Sequence, residues 1–418
     1  MARLIVVGGS LGGLLAANIL LREGHEVRLL EKARGSLDGR GAGIVTHAAL
    51  GVGLRRAGVV TDDTLGVRVE SRVALDARGD AVARRALPQT LTSWSRLYAL
   101  LSAALPAGCA QPGRAVQQVE QRSDGVTVQC ESGEQHAGGV RVHDESAGVF
   151  EGDLLIASDG IRSAVRAQLA PEAQPRYAGY IAWRGVCDEA LLSRYTLESV
   201  FETFGFGLPP GEQLIGYPVA GQGNATGKGQ RRYNFVWYRA AEEHGVLREL
   251  LTDADGEHHP LNIPPHKVSW RQIAAMREAA RALLAPQFAE IIEKTALPFL
   301  QPIHDVSSER LAFGRVALMG DAAFVARPHV GMGVTKAAED AMALADCVST
   351  HGATPAALQA YEARRLRPGQ AVVQRARALG AYMQAQGQPG AEARRDAEAV
   401  LRDTAIDLAG AEHDQVQV

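Results

Sequence analysis

The chain opens on a short apolar run, LIVV over 4–7, with no polar residue alternating through it. A run that short predicts a strand buried on both faces, the habit of a parallel sheet. Glycines over 8–13 turn the chain. A helix follows over 14–22 and stops near Gly24, and a second strand over 26–30 ends at Glu31. Strand, turn, helix, strand is the opening of a βαβ unit with a right-handed crossover. Alternation around the turn DARGD predicts hairpins over 65–87, and Leu97, Leu100, Leu101 and Leu105 carry helical spacing over 95–105. The segment 116–149 is strand-rich, and 153–157 is another buried strand leading into Ser158-Asp159-Gly160.

After Pro171 the pattern changes. Strands are expected over 177–186, 198–206, 213–219 and 232–239, and they gather half of the chain's large aromatics although only 5% of all residues are aromatic. Helices over 269–294, a returning strand over 299–306, a strand over 316–319 and a helix from about Val334 follow. The glycine-rich 221–230 reads as a hairpin tip. Thr354 is an N-cap with Pro355 in the first helical position. The Ala-, Gln- and Asp-rich 387–418 reads as a surface helix or a frayed tail. The resulting division is a nucleotide-binding part over 1–175, with inserted hairpins at about 65–92, and a β-sheet substrate part over 176–298. The nucleotide-binding part returns over 299–350, and a C-terminal helical segment and tail occupy 351–418.

Composition narrows the classes. A chain of 418 residues, 46% hydrophobic and 22% charged, is long enough for two domains. A net charge of −3 gives no basic field for nucleic acid. No apolar run reaches the roughly 18 residues of a membrane span. The glycines after 4–7 break any signal-peptide core, so a cytoplasmic protein is expected. Cys109, Cys130, Cys187 and Cys347 form no CxxC and no metal spacing, which predicts buried free thiols and no metal site. His258 and His259 read as solvated loop histidines.

Three segments carry candidate chemistry. Gly8-Gly9-Ser10-Leu11-Gly12-Gly13 follows a strand and opens a helix, the context of a dinucleotide fingerprint. Gly8 permits the turn and Gly13 the close helix packing. Ser10 replaces the usual middle glycine and has a hydroxyl to offer a pyrophosphate. Glu31, roughly 20 residues on, stands where a carboxylate accepts from ribose hydroxyls. Ser158-Asp159-Gly160 with Ser163 after it is a turn and helix start. In the third segment a strand delivers Gly320-Asp321 to a loop containing Pro328, Gly331, Met332 and Gly333. The helix from Val334 aims its free N–H groups at a negative group, either phosphate or the edge of a reduced flavin.

Together the three segments resemble the class A FAD-dependent aromatic hydroxylases, the para-hydroxybenzoate hydroxylase superfamily, over about 2–369. YAGYIAWRGV (177–186), LIGYP (214–218), YNFVWYR (233–239) and GDAAFVARPH (320–329) are most similar to members of the 2,6-dihydroxypyridine 3-hydroxylase type. The resemblance implies an α/β fold: a Rossmann-like FAD-binding domain with an interleaved β-sheet substrate domain and C-terminal helices. It implies that Gly8, Ser10, Leu11 and Gly13 hold the FAD pyrophosphate, with Glu31 and Lys32 at the adenosine ribose. Arg40 and Arg96 stand where the family has arginines facing the FAD phosphates or ribityl chain. Asp159 belongs to a motif serving FAD and nicotinamide, Gly320 and Asp321 hold the ribityl chain, and Pro328 with Gly331, Met332, Gly333 and Val334 meets the isoalloxazine. Phe324 and Thr335 depart from the family's frequent His and Asn.

The reaction so implied uses NADH or NADPH to reduce the flavin and O2 to form a flavin hydroperoxide, which attacks an electron-rich aromatic ring. Trp183, Phe204, Phe206 and Tyr217 are the expected substrate roof. His329, Tyr217 and His47 are the candidate catalytic residues, His329 also touching substrate. A nicotinamide dehydrogenase leaves 314–346 unexplained, a non-catalytic FAD module predicts flavin without turnover, and a halogenase lacks its WxWxIP signature. The expected partners are a small aromatic substrate and O2, with neither nucleic acid nor membrane. Oligomeric state stays open, a homodimer included.

Overall fold

The computed structural model describes residues 1–35, 37, 43–131, 135–137, 140–142, 148–384 and 395–407. Two sheets organise it. The first has six strands in the order Ala312–Phe313, Val316–Leu318, Leu154–Ala157, Arg3–Val7, Glu26–Glu31, Ala110–Pro112, all parallel except the first. Its central strands are buried on both faces, as their unbroken apolar sequence requires. Helices Leu11–Arg22 and Gly333–His351 pack together over it.

The second sheet has nine strands: Phe324–Val325, Phe299–Ser307, Arg176–Asp188, Arg232–Ala240, Gln213–Val219, Phe204–Gly207, Val67–Leu75, Ala81–Ser93 and Gly43–Val45. Here the period of two separates two cores. Ile181, Trp183, Tyr233, Phe235 and Trp237 face helices Trp270–Leu283 and Pro286–Lys294. Tyr180, Ala182, Phe204, Phe206, Tyr217 and Tyr238 face the other way.

Several expectations shift. The hairpin Val67–Leu75/Ala81–Ser93 pairs through Phe204–Gly207 into the nine-stranded sheet. Phe299–Ser307, assigned by the expected division to the returning nucleotide-binding part, pairs antiparallel with Arg176–Asp188. The strand expected over 198–206 is shorter. Ser193 caps a helical stretch that runs through Leu197–Phe201, and only Phe204–Gly207 is extended.

The C-terminal stretch differs most. The helix Ala397–Asp403 is no surface appendage, because Val400, Leu401 and Ala405 are buried against the nine-stranded sheet. Its anchor is Arg72, fully buried, whose guanidinium donates to the carbonyls of Leu401 (2.8 Å), Thr404 (2.5 Å) and Ala405 (3.1 Å). All four cysteines are buried free thiols. No helix among the described residues is long and apolar enough to cross a membrane.

Candidate active site

The glycine turn after the first strand is as tight as its sequence demands. Gly8 has φ +102, and a Cβ there would lie 2.3 Å from the Ser158 carbonyl oxygen. A Cβ on Gly13 would lie 1.8 Å from the Gly8 oxygen, so only glycine lets the helix start this close to the strand. Leu11 is buried as the first helical residue. Ser10 stands at the N-cap, and its side chain caps nothing. Gly9 N donates to Glu31 Oε2 at 2.7 Å and Ala33 N to Glu31 Oε1 at 2.8 Å. Glu31 therefore fixes the turn as well as lining the cleft.

That cleft has a volume of about 350 Å³, and Gly8, Ser10, Glu31, Lys32 and Asp159 are among its walls. Trp94, Arg114 and Arg162 also line it. Asp159 Oδ2 accepts from Ala164 N at 2.8 Å, while its Oδ1 is buried with no hydrogen-bond partner among the described residues, the Ser163 hydroxyl lying beside the carboxylate. Burial raises the Asp159 pKa. Arg40 lies outside the described residues. Arg96 is not among the residues lining this cleft. Its Nη2 donates to Thr64 Oγ1 at 2.9 Å, and its buried Nε has no partner among the described residues.

The third segment joins the second through Arg166, which is buried. Its guanidinium donates to the Ala322 carbonyl at 2.9 Å and to the Ile161 carbonyl, tying the two loops together. Gly320 N donates to Asp340 Oδ2 at 3.0 Å, and a Cβ on Gly320 would lie 3.4 Å from Ser158 Oγ. Asp321 is accessible to water yet crowded by protein, and the crowding raises its pKa. Gly331 takes φ +67, and Gly333 begins the long helix with no side-chain cap. Met332 is buried and Val334 partly so. Thr335, where the family pattern breaks, is buried with a partnerless hydroxyl.

These features fit FAD. Two helices of 12 and 19 residues present N-termini without side-chain caps, one at each of two glycine turns. One carboxylate oxygen, Asp159 Oδ1 on the cleft wall, is buried without a hydrogen-bond partner among the described residues.

The substrate candidates divide. Tyr217, Phe204 and Phe206 share one face of the sheet, with Tyr217 and Phe204 edge to face at 4.9 Å. Trp183 is a correction. It lies three residues from Tyr180 on the same strand, so it has the opposite parity and packs in the core behind the sheet. Pro328 opens the turn Pro328–Val330 and delivers His329 to the Tyr217 face. His329 is 1% exposed, its Nε2 2.9 Å from the Tyr180 hydroxyl and its ring 4.1 Å from that of Tyr238. Burial, then the charges of Arg395 and Arg327, pushes its pKa down to about 3. Burial pushes Tyr217 up to about 12.

His47 also meets the Gly331 turn. It lines a second hollow of about 990 Å³, with Nε2 3.2 Å from the Gly331 carbonyl, and burial lowers its pKa. His259 is not solvated as expected. It pairs with Asp253 at 2.9 Å, beside Glu257 and Lys267. Sequence reasoning missed Trp94, Arg114, Tyr180, Tyr238 and the Arg166 strut.

Comparison with known proteins agrees with this geometry. A family described as FAD binding domain-like matches residues 177–305. The 2,6-dihydroxypyridine 3-monooxygenase of Paenarthrobacter nicotinovorans is 29% identical, over 93% of this chain and 94% of its own. Aurachin C monooxygenase/isomerase of Stigmatella aurantiaca is 31% identical, over 87% and 84%. The solved structure of 2,6-dihydroxypyridine-3-hydroxylase from Arthrobacter nicotinovorans superposes with a TM-score of 0.83 at 28% identity, covering 94% of this chain and 97% of that one. With its FAD-fitting cleft and a sheet lined by aromatics on one face, the chain belongs to the class A FAD-dependent aromatic-ring monooxygenases and is an enzyme of that kind.

Proposed function

We propose that the enzyme uses NADH or NADPH and O2 to hydroxylate an electron-rich ring of hydroxypyridine or phenolic type. The observation that carries this reading is the placement of His329. It stands two residues before Gly331, in the loop between the Asp321 turn and the Gly333–His351 helix, and it touches Tyr180 and Tyr238 on the aromatic face of the sheet. The name of the Paenarthrobacter relative supports a hydroxypyridine ring.

FAD, when bound, relays two electrons from the nicotinamide to O2 and delivers one oxygen atom to the ring. The chain's own residues bind, orient and keep water out. Gly8, Ser10, Leu11 and Gly13 receive the pyrophosphate, and Glu31 and Lys32 the ribose. Asp159, Gly320 and Asp321 hold the central part, and Pro328 with Gly331 to Val334 meets the ring system. In this reading the parallel sheet forms the cofactor half and the nine-stranded sheet the substrate half. The apolar walls, Phe204, Phe206 and Ile215, exclude water from the reacting ring. Tyr180 and Tyr217 keep their protons at neutral pH, both pushed up to about 12 by burial, so they donate hydrogen bonds. Neutral His329 holds an acceptor nitrogen at the Tyr180 hydroxyl and so orients that donor; with its pKa near 3 it does not itself store a proton at neutral pH.

The test is NAD(P)H oxidation with oxygen uptake against a panel of hydroxypyridines and hydroxybenzoates. At least one ring is expected to accelerate both together. Oxidation indifferent to every ring contradicts the proposal.

A further inference from the structure

Three buried polar atoms gather on the His329 face of the nine-stranded sheet without a hydrogen-bond partner among the described residues: the Tyr238 hydroxyl, His329 Nδ1 and Gln213 Nε2. Each belongs to a side chain exposed by 1% or less. Gln213 and Tyr238 lie directly opposite on neighbouring strands, so they share that face. A buried polar atom left unpaired costs about 1–3 kcal/mol, so a cluster of them calls for a ligand that satisfies it.

The C-terminal segment brings a charge to the same place. Arg395 Nη1 donates to Gln213 Oε1 at 2.6 Å, and its guanidinium lies 5.3 Å from the Tyr382 ring centroid. The carboxylates nearby are already engaged. Asp305 pairs with Arg327 at 2.9 Å, Glu212 with Arg239 at 2.8 Å, and Asp403 with Arg402 at 3.1 Å and Arg375 at 3.6 Å. No carboxylate pairs with Arg395 among the described residues. An amide N–H, a phenol O–H and a guanidinium on one face offer donors and positive charge, and the one carboxylate that acts on Arg395 at longer range, Asp403, is already shared with Arg402 and Arg375.

We propose that Arg395 is a specificity-determining residue, receiving an anionic oxygen of the ring substrate, a carboxylate or ring oxyanion, with Gln213 and Tyr238 completing its hydrogen bonds. This rests on the proposed ring-hydroxylating function. Arg72 is then a positioning residue, since its three carbonyl contacts hold the segment that carries Arg395. The electron-rich ring that this chemistry favours is also the ring that an oxyanion makes richer.

The test uses the full-length FAD-loaded enzyme, wild type beside Arg395→Met and Arg395→Lys. The probes are acidic rings (hydroxybenzoates, hydroxynicotinates and 4-nitrophenol) and their neutral amides or methyl ethers. Binding is read from the flavin absorbance and KM from NAD(P)H oxidation. Wild type is expected to prefer acidic rings. Arg395→Met is expected to raise their Kd and KM about tenfold or more, the loss of one charge-assisted hydrogen bond, with neutral rings and FAD content little changed. Arg395→Lys recovers part of the preference. A preference that survives in Arg395→Met, or a Lys variant no better than Met, overturns the proposal while leaving the ring-hydroxylating function standing. A wild-type flavin that responds to no ring of either kind contradicts both.

Discussion

A single methyl group added at Gly13 has nowhere to go, because 1.8 Å from the Gly8 oxygen lies well inside contact distance. Gly13→Ala is therefore expected to open the turn and yield protein with little or no bound FAD, read as the ratio of flavin to protein absorbance after purification. Asp321→Ala tests the opposite wall. With its carboxylate gone, FAD retention should fall at least about tenfold, and a variant with full flavin absorbance contradicts the assignment. His329 supplies a pH test with a definite sign. Its folded pKa, about 3, lies below the ordinary value of 6.5, so the unfolded chain binds the extra proton first. Stability should fall as pH drops below about 6.5, reaching a loss of about 2 kcal/mol from this one group near pH 5. His47, also lowered by burial, acts in the same direction. Urea midpoints at pH 7.5 and 5 measure the loss, and His329→Gln is expected to flatten the difference.

At the level of elements, the Ala397–Asp403 helix is held by Arg72 as well as by its own apolar side chains. Arg72 lies 5.0 Å from the Phe204 ring and, with burial as the main cause, its pKa is lowered to about 9. Arg72→Ala takes the side-chain donor from the Leu401 and Thr404 carbonyls, while that of Ala405 keeps Gln89 Nε2 at 3.0 Å, and should cost at least about 2 kcal/mol, measured by denaturant unfolding. Gly331→Ala works from the other side. Its new Cβ would meet Ala405 Cβ at 2.8 Å, close to where Ala405 N donates to the His329 carbonyl at 2.9 Å. That variant should loosen the segment and hasten proteolysis around 395–407. None of this clamp is legible in the sequence, because backbone carbonyls leave no mark on a side-chain pattern. The βαβ opening, the glycine turns and most strands were legible, because their period and their glycines state the backbone geometry directly. Parity along one strand separated Trp183 from Tyr180, but it did not say which face meets the cleft. That follows from where helices Trp270–Leu283 and Pro286–Lys294 pack. Trp94 and Arg114 reach the cleft from elements that carry no motif, whereas Arg162 lies within the Ser158-to-Ser163 segment.

Across the whole molecule, a parallel sheet carries the glycine turns and the nine-stranded sheet carries the aromatics. The chain passes from one sheet to the other several times, which is why motifs some 300 residues apart meet at Ser158: a Cβ on Gly12 would lie 2.7 Å, and one on Gly320 3.4 Å, from its Oγ. Arg166 ties two of the three loops together, so its loss should weaken FAD retention without touching the cofactor directly. The central claim is that this cleft and the Tyr217 face of the nine-stranded sheet together transfer one oxygen atom from O2 to an aromatic ring. Its most direct test is turnover of the FAD-loaded enzyme with NAD(P)H and the best-stimulating ring under oxygen-18 gas, with mass spectrometry of the product. The account predicts a product heavier by one oxygen-18 atom, formed in step with NAD(P)H oxidation. A product with oxygen from water, or none despite bound FAD and ring, would contradict it.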